Sequence, residues 1–338
     1  MWGFKAKEVK EEKETSSFPV DGMRLGFNAH GKGRVRMVKV TRKADGTHEV
    51  AQLSVQILLE GDNMSNVFMS GSNATVVATD TCKNTVYCLG KMHDFQSIEE
   101  FGLIICRHFL SEYAQIVNRI SVEIVKDRWE RIEALDSLGK TTAHKHAFVR
   151  VGPNRPFAHV QGEKRPGSLL QLSVQAGFTN LEIMKTTQSG FVGFHRDRFT
   201  SLPEVEDRLL GTSITAEWAY NKSSITTGNT DFNAVSEAVK RALVQAFAGP
   251  ADVGVYSSSV QQTLYDMGKS ALHTVPQISQ ITLEMPNIHN IPFNLEPYGF
   301  PKDKGAPTIF FPIDEPHGMI KAVVERSSPR YAPIKSRL

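Results

Sequence analysis

The sequence predicts an α+β protein made of two similar halves, and three observations carry that reading. Segments that alternate apolar and polar side chains flank segments with helical spacing. The order strands, helices, strands occurs twice. Between the two runs lies a stretch rich in Gly, Pro, Lys and His. In the first half, Leu53, Val55, Ile57 and Leu59 share one face of a strand over 50–59. The β-rich runs 73–79 and 85–89 read as two further strands around a polar stretch. Ser97 and Glu100 form a capping box ahead of Ile98, Phe101, Ile105 and Phe109, which predicts a helix there. Ile120, Val122 and Ile124 then alternate again, and 139–167, with little periodicity, is expected to be the irregular connection.

The second half follows the same plan. Leu170, Leu172 and Val174 alternate, and 212–220 is a further strand. Phe232, Val235, Val239, Ala242, Leu243 and Ala246 trace a helix ended near Gly249; Val260, Leu264, Met267 and Ala271 trace another, ended before Pro276. Ile281, Leu283 and Met285 alternate into a last strand. The expected organisation is a disordered, charged N-terminus over 1–20, a first unit over 21–150, a second over 151–326, and a tail over 327–338.

Composition narrows the class. The 338 residues suffice for two ordinary domains, and 40% hydrophobic with 22% charged residues is usual for a soluble globular chain. A net charge of +3 without a concentrated basic stretch excludes a nucleic-acid binder and suits a small anionic ligand. No apolar run is long enough for a membrane span, and no signal-peptide core opens the chain. Cys82, Cys88 and Cys106 are odd in number and lack metal-type spacing, so reduced intracellular thiols are expected. On that expectation the sequons at Asn63, Asn73 and Asn221 carry no glycan. The chain ends Ser336-Arg337-Leu338, which looks like a Ser-Lys-Leu peroxisomal address with one cation exchanged, and so implies an import receptor.

Five stretches concentrate functional groups. His30-Gly31-Lys32-Gly33-Arg34-Val35-Arg36 lacks the helix start that a phosphate loop needs, and reads as a strand entry with cations. Thr79-Asp80-Thr81-Cys82-Lys83-Asn84 is a polar link that turn chemistry alone would explain. Thr186 to Phe194 continues to Leu202-Pro203-Glu204 and Asp207-Arg208. Ser257 to Thr263 is a polar helix start, ordinarily a cap, and Met285-Pro286-Asn287-Ile288-His289 ends a strand.

In their order and wording (ATDTCKNTVY, TTQSGFVGF with LPEVEDR, and MPNIH) these stretches resemble the urate oxidase family, from about Gly31 to Arg326. The resemblance implies two tandem tunnelling-fold units, each an antiparallel sheet with two helices, assembling into a barrel-like homotetramer. It implies oxidation of urate by molecular oxygen, with active sites shared between subunits and no flavin, haem or metal, since urate itself supplies the electrons. Arg208 and Gln261 would grip the urate edge, Phe191 would stack on its ring, and Val260 would offer its amide. Thr79 and Asp80 would approach the opposite edge. Lys32, Thr79 and His289 would relay protons, and Asn287, with Thr79, would hold oxygen or water above the ring.

The residue types suit that chemistry. A guanidinium fork and an amide match a rim of N–H and C=O groups, and an aromatic face covers the plane. The chain departs from the family at His30, where Tyr is usual, at Val192, where Trp is common, and at Asn294, where Asp is usual. These departures leave the proposed catalytic groups in place and bear on subsite shape. Two other readings compete: another tunnelling-fold enzyme acting on a pterin or purine, some of which use zinc, and a non-catalytic purine-binding protein. His144-Lys145-His146 is the only His-x-His pair and has no Cys at ligand spacing, so a solvated loop is expected there. Lys32, Thr79 and His289 together argue against a non-catalytic protein.

Overall fold

Alternating segments extend and helically spaced segments coil, and a computed structural model, which describes residues 23–62, 64–164, 167–226, 228–301 and 307–327, shows how they assemble. The first half runs β1 (His30–Arg42), β2 (His48–Glu60), the short α1 (Ser65–Ser70), α2 (Thr79–Met92), α3 (Ile98–Glu112), β3 (Arg119–Asp127), the hairpin β4 (Trp129–Leu135) and β5 (Thr141–Arg150), and β6 (Arg155–Glu163). The second runs β7 (Gln171–Lys185), β8 (Leu210–Tyr220), the short α4 (Lys222–Thr226), α5 (Phe232–Ala248), α6 (Val260–Thr274), β9 (Ile278–Pro292) and β10 (Phe310–Glu325). With the β4–β5 hairpin set aside, both halves have one order: two strands, a short helix, two long helices, two strands.

The strands form one eight-stranded sheet in the order β1-β2-β3-β6-β7-β8-β9-β10, antiparallel at every pairing. β6 pairs with β3 on one side and β7 on the other, so the halves share a continuous hydrogen-bond ladder. The long helices cover one face. Leu53, Val55, Ile57 and Leu59 of β2 and Ile214, Ala216 and Trp218 of β8 are buried beneath them with Phe101, Phe109, Leu243 and Met267. Each large side chain removed from water there contributes about 1.5–3 kcal/mol. The cap forms with its reciprocal bond shifted by one residue: the Ser97 hydroxyl accepts from the Glu100 amide at 3.1 Å, and the Glu100 carboxylate accepts from the amide of Gln96, just before the cap, at 2.7 Å. Beside it the buried Glu99 faces the Tyr220 hydroxyl of β8 at 3.5 Å, joining α3 of one half to the sheet of the other. Burial raises the Glu99 carboxyl above its ordinary range.

Several expected elements are corrected. The runs 73–79 and 85–89 are not strands: 79–92 is the helix α2, whose buried Cys82, Val86 and Leu89 follow helical spacing while its β-branched residues suggested strand. The stretch 139–167 is not irregular, because it holds β5 and β6. The β4–β5 ribbon is largely exposed and so shows no clear apolar alternation. β6 presents small residues to the core: a Cβ on Gly162 would lie 2.7 Å from Leu110 Cδ1. In the repeated element order β6 is the last strand of the first half and β7 the first strand of the second. β9 is followed by one more strand, β10, at the sheet edge. Residues 1–20 and the tail from 328 lie outside the described residues.

Close backbone contact fixes Gly31 in β1. A Cβ there would sit 1.9 Å from the Ile57 carbonyl oxygen, and neither strand can yield without breaking the ladder. Gly31→Ala is expected to destabilise the fold by about 1–3 kcal/mol, read as a lowered urea midpoint at unchanged m-value. An unshifted midpoint would contradict the close approach.

Candidate active site

The first-half candidates gather where β1 begins and α2 begins. The β1–β2 register breaks between Lys32 and Val35, and Arg34 adopts φ 55°, a bulge that re-aims the strand beside Lys32. His30 Nε2 lies 2.9 Å from the Val77 carbonyl, which holds the lead-in to α2 against β1. Lys32 is half-buried, and Thr79 and Asp80 are exposed in the first turn of α2. The Asp80 carboxyl is held below its ordinary value, chiefly by the hydrogen bond and charge of Lys83, then by Asn84 at 2.8 Å, with a smaller pull from Lys32. Cys82, fully buried one turn into α2, has its thiol pushed up to about 11 by burial, against a weaker opposing pull from Lys32.

The second-half candidates converge from three segments. Phe191 and Val205 exchange backbone hydrogen bonds at 2.7 Å and 3.1 Å, Gly190 N–H donates to the Ser257 carbonyl at 2.9 Å, and Ser257 N–H donates to the Gln188 carbonyl at 2.9 Å. The loop bearing Phe191 is thereby tied both to the segment that leads through Arg208 into β8 and to the entry of α6. The Arg208 guanidinium lies 5.6 Å from the centroid of the Phe191 ring, and Phe194 stacks on that ring at 4.8 Å. Burial lowers the Arg208 pKa, and its Nε is buried without a hydrogen-bond partner. Val260 opens α6, where first-turn amides have no intrahelical acceptor, with Gln261 exposed beside it.

Asn287 and His289 are half-buried on β9, opposite Thr212 of β8 in the case of Asn287 and Ile313 of β10 in the case of His289. Desolvation lowers the His289 pKa first, and the charges of Arg208 and His317 lower it further. The site can therefore present an uncharged imidazole next to a guanidinium.

The two groups do not meet within one chain. Lys32 is on an edge strand and His289 on β9, with β2, β3, β6, β7 and β8 between them. Six strand spacings of about 4.8 Å amount to roughly 30 Å along the sheet. The second-half candidates lie in one region and the first-half candidates in another. A cavity of about 350 Å³ between α3 and the β4–β5 hairpin, lined by residues including Lys39, Phe95, Trp129 and Arg131, contains none of them. His144 and His146 lie on β5, where His144 Nδ1 accepts from the amides of His146 and Ala147 and fastens a bulge. Among the described residues no three His, Cys, Asp or Glu side chains are placed to hold a metal ion. Sequence reasoning gave no role to Asp207, Gln188 or His317, and only their hydrogen bonds and charges in the folded chain distinguish them. Ser336, Arg337 and Leu338 lie outside the described residues.

Duplicated strand–strand–helix–helix–strand–strand units on one antiparallel sheet, helices on a single face, define a tunnelling-fold protein. The uricase family model matches residues 28–161 and 174–321. A uricase of Dictyostelium discoideum is 38% identical over 307 residues, covering 90% of this chain and 98% of that one. A uricase of Arabidopsis thaliana is 40% identical over 312 residues, covering 90% and 97%. The crystal structure of uricase from Arthrobacter globiformis superposes with a TM-score of 0.78 at 35% identity, covering 93% of this chain and 99% of that one. The chain belongs to the uricase family.

The lowered His289 pKa has a definite sign. The folded site resists a proton that the unfolded chain accepts, so stability is complete above the ordinary histidine value and declines as pH falls below it. By NMR, the His289 ring should titrate below the histidine of a short peptide, and its midpoint should rise in Arg208→Gln. A midpoint unmoved by that change would show that the guanidinium does not act on the imidazole.

Proposed function

We infer that this protein is a urate oxidase: an oxidoreductase that converts urate, O₂ and water into 5-hydroxyisourate and hydrogen peroxide. Membership of the uricase family over nearly the whole chain carries this reading. The other reading, a pterin enzyme of the same fold or a non-catalytic purine binder, is not favoured by those relatives.

In the mechanism supported by the residue chemistry, the Arg208 guanidinium and Gln261 amide hydrogen-bond one edge of the purine while Phe191 covers its face. The unpartnered Nε of Arg208 is a buried donor awaiting an acceptor, the observation in this chain that best fits an anionic ligand. The Val260 amide donates to the same edge, and Thr79 and Asp80 meet the opposite one. Asn287, with Thr79, holds oxygen or water above the ring. Lys32, Thr79 and His289 pass the proton, and His289, whose neutral form is favoured, hands one on more readily than it holds it. The urate anion is the electron donor and O₂ the acceptor, and the reaction is proposed to need no cofactor.

The assembly is proposed to be a homotetramer whose sites pair the first-half cluster of one chain with the second-half cluster of another. The separation along the sheet and the two edge strands, β1 and β10, support it. Delivery to peroxisomes by an import receptor reading Ser336-Arg337-Leu338 is proposed from the sequence of that tail.

Purified protein is expected to consume urate and oxygen and release peroxide without additive; activity lost on chelation and restored by a metal would overturn the cofactor-free reading. Arg208→Ala should lose about 2–4 kcal/mol of transition-state stabilisation with urate binding abolished, whereas Lys32→Ala should reduce mainly turnover. Mixing those two inactive variants after dissociation should restore roughly a quarter of parental activity, since half the pairs are mixed and half of their sites intact. Proven subunit exchange with no recovery would place each site within one chain. A chain lacking 336–338 should remain active and appear in the cytosol; continued peroxisomal residence would discount the tail.

A further inference from the structure

In the reading above Arg208 grips the purine edge, yet among the described residues its guanidinium makes no hydrogen bond or ion pair, and its Nε is buried without a partner. A side chain so loosely fastened is placed by its backbone. Arg208 itself contributes one tie, its N–H donating to the Ser189 carbonyl at 2.8 Å. The residue before it supplies the rest. The two carboxylate oxygens of Asp207 lie 2.8 Å and 3.0 Å from the Thr187 hydroxyl, and one of them accepts from the Gln188 amide at 2.8 Å. Asp207 and Arg208 are thus zipped to 187–189.

Gln188 is where this zipper meets the rest of the site. It adopts φ 59°, a left-handed conformation that a non-glycine residue holds only when its surroundings over-determine it. Its surroundings do so. The Asp207 carboxylate takes its amide, the Ser257 amide takes its carbonyl, and its side-chain amide donates to the Val253 carbonyl at 2.8 Å. Gly254 gives it room: a Cβ there would lie 2.4 Å from Gln188 Oε1. The Tyr256 hydroxyl donates to the Glu206 carbonyl at 2.9 Å, closing the same junction from the other side. Three segments, bearing Phe191, Arg208 and the entry to Val260 and Gln261, are therefore joined through Gln188.

We propose that Asp207 is a positioning residue for purine binding: with Thr187 and Gln188 it forms a carboxylate clamp that sets the Arg208 guanidinium over Phe191 and beside the start of α6. The proposal rests on the urate reading of that site. It acts through Arg208 and touches neither substrate nor oxygen, so its loss weakens ground-state binding more than the chemical step.

The test compares the parent with Asp207→Ala, Asp207→Asn and Thr187→Val. Urate affinity is measured under nitrogen, kcat and KM in air, the melting temperature by calorimetry, and amide exchange at Gln188 and Arg208 without ligand. Asp207→Ala is expected to weaken urate affinity about tenfold or more, with KM rising by a larger factor than kcat falls. Asp207→Asn should recover most of that loss, because its amide oxygen still accepts from Gln188 and Thr187. Thr187→Val should move affinity in the same direction by less, and it carries the test if Asp207→Ala fails to fold. Faster exchange at Gln188 and Arg208 is expected in Asp207→Ala. If the parent binds urate, and Asp207→Ala and Thr187→Val match it within about twofold while melting lower, the contacts merely stabilise the loop and the proposal is overturned. If the parent does not bind urate, the functional reading is what fails, and exchange unchanged by Asp207→Ala separately overturns the clamp.

Discussion

Everything in this molecule depends on β6 being hydrogen-bonded on both sides. Pairing with β3 and with β7 converts two four-stranded units into one eight-stranded sheet, leaving β1 and β10 as its edges. A sheet of fixed strand spacing is also a ruler. It sets the Lys32 cluster at one end and the cluster around Arg208 and His289 toward the other, and no loop can bring them together. The Glu99–Tyr220 contact beneath the helices braces the same seam from the core. Duplication thus dictates where chemistry can occur as well as how the chain folds.

The second-half cluster is built against its own electrostatic comfort. A guanidinium is drawn out of water with a buried donor unmatched, and an imidazole close enough to feel its charge is discouraged from taking a proton. Neither arrangement helps the chain fold. The proposed planar anion would supply an acceptor for the donor and a counter-charge for the cation. Poor satisfaction in the isolated chain, well tied through Gln188 and Ser257, is the signature of a site shaped for what it binds.

Much of this was legible in the sequence, unevenly. Helices α3, α5 and α6 announced themselves through caps and spacing, Ser97 and Gly249 among them. Strand β2 did so through Leu53 to Leu59. What failed to show did so for identifiable reasons. Cys82, Val86 and Leu89 make a helical stripe too sparse to outweigh the β-branched residues of α2. β6 turns Ala158, Val160 and Gly162 to the core, where α3 leaves little room, so its apolar signal is faint. Candidate site residues could be proposed because their motifs are long, but motif length carries no geometry. That Asp207 and Gln188 join three segments depends on contacts between residues up to 70 positions apart, typified by the bond from Lys185 to the Val255 carbonyl, and no local pattern encodes them.

An enzyme whose product is hydrogen peroxide must outlast its own exhaust, and Cys82 shows one way of doing so. Peroxide attacks sulfur as the thiolate. Burial pushes the thiol up to about 11 and seals the side chain beneath α2, which disfavours the thiolate at neutral pH. A thiol close enough to feel the charge of Lys32 is thereby kept in a form that peroxide attacks poorly. Wear during turnover would fall first on exposed groups such as Cys88, on the open face of α2.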